Sequence, residues 1–77
     1  MDGAAIKMKQ NEFELLCALE RKKQEGLFLQ SAATEAKLLT EEAVKVIQEL
    51  QQNKLVECRE RKLYITGEGL EQLEPYR

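Results

Sequence analysis

Residues 38–53 read LLTEEAVKVIQELQQN, and the fold turns on this stretch. Ala43, Val46, Ile47 and Leu50 recur at the i, i+3, i+4, i+7 spacing of one buried stripe on an α-helix. Glu41, Lys45, Gln48, Glu49 and Gln52 fall on the opposite side. Thr40 stands where an N-cap hydroxyl accepts a bond from a first-turn N–H. Glu41 and Glu42 then sit at the positive end of the helix dipole. Beyond the helix, Val56 and Cys58 alternate with Glu57 and Arg59, and Leu63 and Ile65 alternate with Tyr64 and Thr66. That is the period-two pattern of two half-buried strands. Their connection, Arg59-Glu60-Arg61-Lys62, is short and has no glycine, so it predicts a hairpin with a small tip.

Toward the amino terminus, Asn11 reads as an N-cap with Glu14 reaching back in a capping box. Phe13, Leu16 and Cys17, widened by Leu15 and Leu19, make an amphipathic helix, with Glu20 to Glu25 as its polar end. Gly26 is placed to terminate it. Leu27-Phe28-Leu29 is too short for a helix and reads as an edge strand or a core-plugging connection. Ser31 reads as the cap of a short helix over residues 32–37 whose inward positions are alanines, and Leu38-Leu39 makes the turn into the organising helix. Thr66 caps a last helix carrying Leu70 and Leu73, which Pro75 ends. The predicted order is helix, short strand, helix, helix, strand, strand, helix. Residues 1–10 read as a flexible leader, with Ile6 or Met8 against the core, and residues 11–77 as one domain. The expected core is Phe13, Leu16, Leu19, Leu39, Ala43, Val46, Ile47, Leu50, Val56, Leu63, Ile65, Leu70 and Leu73.

A chain of 77 residues holds one small domain. With 43% hydrophobic and 34% charged residues it has the composition of a folded globular unit. No apolar run approaches the roughly 20 residues of a membrane span, and the amino terminus lacks the apolar stretch of a signal peptide, so a cytoplasmic location is expected. Twelve Lys and Arg against 14 Asp and Glu give a formal charge of −2. Nucleic-acid-binding domains concentrate positive charge to displace counterions from phosphates, and this balance runs mildly against that.

Catalytic chemistry finds little to work with. There is no histidine, and Asp2 and Ser31 lie in the leader and at a predicted cap. Cys17 falls on a buried stripe with no base nearby in sequence. Cys17 and Cys58 are too few for a zinc site and read as two small buried thiols, although sequence leaves a disulfide open. Gly67-Glu68-Gly69 has two glycines of a phosphate-binding turn but no third, and no βαβ unit around them. No catalytic residue, cofactor or metal is therefore expected within this chain.

Three segments carry a family resemblance. Residues 39–50 stand where a recognition helix would be, and Asn53-Lys54-Leu55-Val56 looks like a lysine-glycine-leucine-isoleucine entry to a wing, with the glycine replaced. Tyr64-Ile65-Thr66-Gly67-Glu68-Gly69-Leu70 looks like the exit from that wing. Together they resemble the winged helix-turn-helix superfamily, especially small bacterial regulators related to the multiple-antibiotic-resistance repressors. The resemblance implies an α+β fold with a three-helix core, a small β-hairpin wing and a C-terminal helix. The tail, residues 69–77, resembles the junction in certain bacterial sugar- or choline-phosphate nucleotidyltransferases that carry an amino-terminal winged helix. That implies a winged-helix domain within a larger bacterial protein, with the nucleotide site outside this sequence.

The resemblance sets a definite DNA geometry. In helix-turn-helix docking the second helix enters the major groove and its early exposed residues meet base edges. Those are Thr40, Glu41 and Lys45, with Gln48 further along. Lys37 at the turn, and Arg59, Arg61 and Lys62 on the wing, are the expected phosphate contacts. Glu41 and Glu42 oppose this reading by pointing carboxylates toward phosphates. Two functions are thus expected: a module binding double-stranded DNA or regulating transcription, and a docking domain for an attached or separate protein, with Val44 at the flank of the buried stripe and outward Tyr64 in its interface.

Overall fold

The computed structural model describes residues 8–76; the expectations placed on Ile6 and the rest of residues 1–7, and on Arg77, lie outside the described residues. Helix α1 spans Gln10–Arg21, so it begins inside the span read as leader, and Met8 packs against the core. Its N-cap is Lys9 and not Asn11. The Lys9 N–H donates to the Glu12 carboxylate at 2.9 Å. A first-turn glutamate reaching back satisfies the entry amide, so the helix can start without an oxygen-bearing cap. After the helix, Gly26 adopts φ +76° and its N–H donates to the Lys22 carbonyl at 2.7 Å. A Cβ there would stand 2.7 Å from the Tyr64 ring, so both the turn and the close approach call for glycine.

Strand β1, Leu27–Phe28, leads directly into helix α2, Leu29–Glu35. The edge-strand reading of the apolar run therefore holds for Leu27 and Phe28, while Leu29 opens the helix. Ser31 is not a cap: the N-cap of α2 is Phe28, and Ser31 lies within the first turn. Ala32, Ala33 and Ala36 are buried, and their small side chains let α2 lie close to its neighbours.

The turn into helix α3, Thr40–Gln52, is built from backbone bonds. Lys37 takes φ +60°. Its N–H donates to the Thr34 carbonyl at 3.1 Å, and the Leu38 N–H donates to Ala33 at 2.8 Å. This pair of bonds is the Schellman closure of a helix, made here without glycine. It turns Leu38 against the core and leaves the next residue, Leu39, facing outward at 76% exposure. Two expectations fail at this point. Leu39 is not core, and it, rather than Thr40, is the N-cap of α3.

The same closure ends α3. Lys54 has φ +62°, with Lys54 N–H to Gln51 at 3.0 Å and Leu55 N–H to Leu50 at 2.9 Å. It buries Leu55 beside Leu50 and delivers the chain into strand β2, Val56–Arg59. Strand β3, Lys62–Ile65, pairs antiparallel with β2 in the register Val56↔Ile65, Glu57↔Tyr64, Cys58↔Leu63, Arg59↔Lys62. Only Glu60 and Arg61 lie between the strands, at φ +51° and +70°. This two-residue turn with both centres left-handed matches the twist of a hairpin. On its other side β3 pairs with β1 through Leu27↔Leu63 and Phe28↔Lys62, giving the order β1-β3-β2.

Thr66 joins hairpin to helix. Its Oγ1 accepts from the Gly69 N–H at 3.0 Å and donates to the Lys54 carbonyl at 2.7 Å. It thereby caps helix α4, Gly67–Leu73, as its sequence position predicts, and ties that helix to the end of α3. Pro75 then sits in a 3-10 turn, Glu74–Tyr76, and Tyr76 lies with its ring centroid 5.2 Å from that of Phe13. Leu15, Leu16, Leu19, Leu50 and Leu73 are the largest side chains buried at the centre. Phe13 and Leu70, expected inside, pack against that core from its edge.

Candidate nucleic-acid interface

Two surfaces of the domain converge on the groove between α3 and the hairpin. Ala43, Val46, Ile47 and Leu50 turn one side of α3 inward. Thr40, Glu41, Glu42, Lys45, Gln48, Glu49, Gln51 and Gln52 are exposed. Three of these are carboxylates and one is an ammonium, so the outward side of α3 is acidic. Lys45 lies one helical turn from Glu41, Glu42 and Glu49 in sequence, which leaves it little field of its own.

On the hairpin, strand alternation decides which residues look toward α3. Cys58 and Leu63 do: together with Leu29, Val44, Ile47, Gln48, Gln51 and Arg61 they line a depression of about 260 Å³. Glu57, Arg59, Lys62 and Tyr64 therefore take the other face of the sheet. There the Arg59 guanidinium carbon stands 4.3 Å from the centroid of the Tyr64 ring, and Arg59 Nε lies 3.4 Å from the Glu57 carboxylate. The Lys62 ammonium is 5.4 Å from the centroid of Phe28, which is 52% exposed.

The expected site is thus divided. Gln48 and Arg61 both line the α3–hairpin depression. Thr40, Glu41 and Lys45 lie on the outward side of the same helix, Thr40 as its first residue. Arg59 and Lys62 are on the far face of the sheet. Lys37 lies in the turn before α3, where it lines a separate depression with Lys9, Gln10, Asn11 and Glu14 at the start of α1. Sequence reasoning passed over Phe28 as a surface residue. The sequence carries no signal for it, since Leu27, Phe28 and Leu29 are all apolar and only the strand pairing turns Phe28 outward.

No disulfide joins Cys17 and Cys58. Cys58 is exposed, contrary to the expectation of a buried thiol, because the depression beside α3 leaves its side of the edge strand open. Among the described residues no group of three or more His, Cys, Asp or Glu is placed to hold a metal ion. No helix among them is long and apolar enough to cross a membrane.

No protein-family model matches this chain, and no curated protein matches it in sequence. Solved structures do. MepR, described as a transcription regulator of the Staphylococcus aureus multidrug efflux pump MepA, superposes with a TM-score of 0.83 at 17% identity. A mutant of MepR from a multidrug-resistant S. aureus clinical isolate gives 0.80 at 19% identity. The fold is a winged helix-turn-helix. Each match covers 90% of this chain and 54% of the other, so the chain spans about half the length of these structures. The winged helix places α2 and α3 as its helix-turn-helix pair and the β2–β3 hairpin as its wing, as the sequence resemblance implied.

Proposed function

We propose that this chain is a DNA-binding regulatory module that approaches duplex DNA with α3 and the tip of the wing. The observation that carries the reading is the shared depression in which Gln48 and Gln51 of α3 face Arg61 of the wing tip. A helix for the major groove and a cation beside it for the flanking phosphate are two parts that helix-turn-helix docking uses. In this reading Gln48 and Lys45 read base edges, glutamine being suited to adenine and lysine to guanine. Glu41 accepts from cytosine N4. Arg61 anchors a phosphate next to the groove, and Lys37 does so at the turn before α3. Arg59 and Lys62 reach phosphate only from the outer side of the wing. With Glu41, Glu42 and Glu49 on the approaching helix, affinity is modest and sensitive to salt.

An amide-resolved NMR titration of the chain with a mixed-sequence duplex, at low and then moderate salt, tests this. Shifts on Thr40 to Gln48 and on Glu60 and Arg61 that weaken steeply with salt are expected. Arg61→Glu should then reduce duplex affinity more than Arg59→Glu. A flat response at low salt removes the DNA reading.

A second reading is favoured by the acidity of α3 and the apolar floor of the groove, made by Leu29, Val44, Ile47 and Leu63. In it the domain docks protein and regulates a neighbouring domain, which the resemblance of residues 69–77 suggests is a nucleotidyltransferase within a larger cytoplasmic bacterial protein. Its mark is a titration in which duplex leaves every amide unmoved while the isolated catalytic domain shifts the groove residues.

A further inference from the structure

The outer face of the sheet, opposite α3, carries two aromatic rings, Phe28 and Tyr64, that the duplex reading does not use. Phe28 on β1, Lys62 and Tyr64 on β3, and Arg59 on β2 share one side of three hydrogen-bonded strands. Phe28 is exposed and Tyr64 half-buried, and each ring has a cation over it. Leu27 and Leu63 hold the opposite side in the core, so the strands cannot rotate these residues inward. The Tyr64 ring also lies against Gly26, where a Cβ would stand 2.7 Å from it.

We infer that this face binds single-stranded nucleic acid, with an unpaired base stacking on Phe28 and a second on the Arg59–Tyr64 pair. Arg59 and Lys62 neutralise the phosphates that link them. The chemistry selects the occupant. Arg59 and Lys62 outnumber Glu57, whose carboxylate pairs with Arg59 at 3.4 Å, so the face keeps one net positive charge and suits a polyanion better than a basic partner. The Phe28 ring on β1 and the Arg59 guanidinium lying over Tyr64 offer two stacking surfaces that suit successive bases, because every base has a stackable face whatever its sequence. A guanidinium plane serves as a stacking surface as well as a charge. Duplex DNA cannot use the rings, since its bases are already stacked. The inference stands apart from the duplex reading, for it uses a face that α3 does not share.

Fluorescence anisotropy of the whole chain with a labelled oligothymidylate of roughly ten nucleotides is the test. Binding is expected with a log–log salt slope of about −1.4, from two phosphate contacts at roughly 0.7 each on a single strand. Phe28→Ala should weaken it about tenfold, within the range of losing one stacked base. Phe28→Tyr should restore it, and a thermal melt on each variant confirms the fold. Lys45→Ala should leave oligothymidylate binding unchanged while altering duplex binding, so the two surfaces fail separately. The inference is overturned if the oligonucleotide does not bind at low salt. It is equally overturned if Phe28→Ala binds like wild type, or if polyglutamate competes as well as oligothymidylate, since the face would then be a plain anion or acidic-peptide surface.

Discussion

Lys54→Gly should stabilise the domain. Lys54 closes α3 at φ +62°, a conformation an L-residue adopts at a cost of roughly 1–2 kcal/mol because its Cβ crowds the following carbonyl oxygen. Glycine removes that cost but gains freedom in the unfolded chain worth about 0.5–1 kcal/mol. The difference leaves a net gain of about 0.5–1 kcal/mol. For a chain of this length it raises Tm by roughly 3–6 °C. The substitution spares the architecture, since both closing bonds and the Thr66 hydroxyl contact use backbone atoms of residue 54 or its neighbours. It also removes a charge that lines a depression with Glu57 and Glu68. At an exposed site such a loss is worth at most a few tenths of a kcal/mol. Lys54→Ala separates the two effects, because alanine removes the charge and keeps the crowded backbone. Thermal melts by circular dichroism should rank Lys54→Gly above wild type, and wild type at or slightly above Lys54→Ala. If the glycine variant melts no higher than the alanine variant, the left-handed residue is not strained and the reasoning is wrong.

The glycines at the start of α4 should separate sharply. A Cβ on Gly69 would overlap the Leu55 carbonyl and stand 2.7 Å from Ile65 Cγ1, whereas one on Gly67 would meet nothing within 4 Å. Gly69→Ala should therefore cost about 1–3 kcal/mol and Gly67→Ala should be neutral or mildly stabilising, as read from urea midpoints. Thr66→Val keeps the shape and deletes both hydroxyl bonds; it should lose roughly 1–2 kcal/mol, while Thr66→Ser stays near wild type. Equal midpoints for the valine and serine variants would show that the hydroxyl does not secure the cap.

Much of the fold was legible because its signals are periodic and strong. The stripe from Ala43 to Leu50 defines α3 within the chain, and the alternation through Val56 and Leu63 defines the wing strands. Thr66 and Gly26 are single residues whose chemistry fixes a cap and a turn. The errors share a cause in the way helices begin. Asn11, Ser31 and Thr40 all carry good capping side chains, and each lies just inside a helix that Lys9, Phe28 or Leu39 caps instead. At α2 and α3 a strand or turn upstream fixes the entry, through the β1 pairing and the Lys37 closure, while at α1 the first-turn Glu12 carboxylate reaches back to the Lys9 N–H. The capping preference of one side chain lost each time to another contact that sets where the helix begins. Leu39 is the clearest result, since the Lys37 turn that brings Leu38 inward obliges its neighbour outward.

The candidate site was harder to read because it depends on strand parity. Arg59, Arg61 and Lys62 look like one basic patch when written in a line. Whether they are one depends on how many residues the turn takes. With two residues in the turn, Arg59 and Lys62 become cross-strand partners on one face, and Arg61 is left at the tip to line the groove with Gln48. One more residue in the turn would have shifted the pairing and reversed the side of β3 that faces the core. Nothing at Glu60 or Arg61 announces a two-residue turn, because residues suited to φ above zero are absent from it. What fixes the register lies elsewhere, in the need to bury Val56, Leu63 and Ile65 together with Leu27. Once that burial is imposed, Phe28, Lys62, Tyr64 and Arg59 must share the opposite face. The split of the basic residues between groove and outer sheet follows from the core, and no reading of the charges alone would reach it.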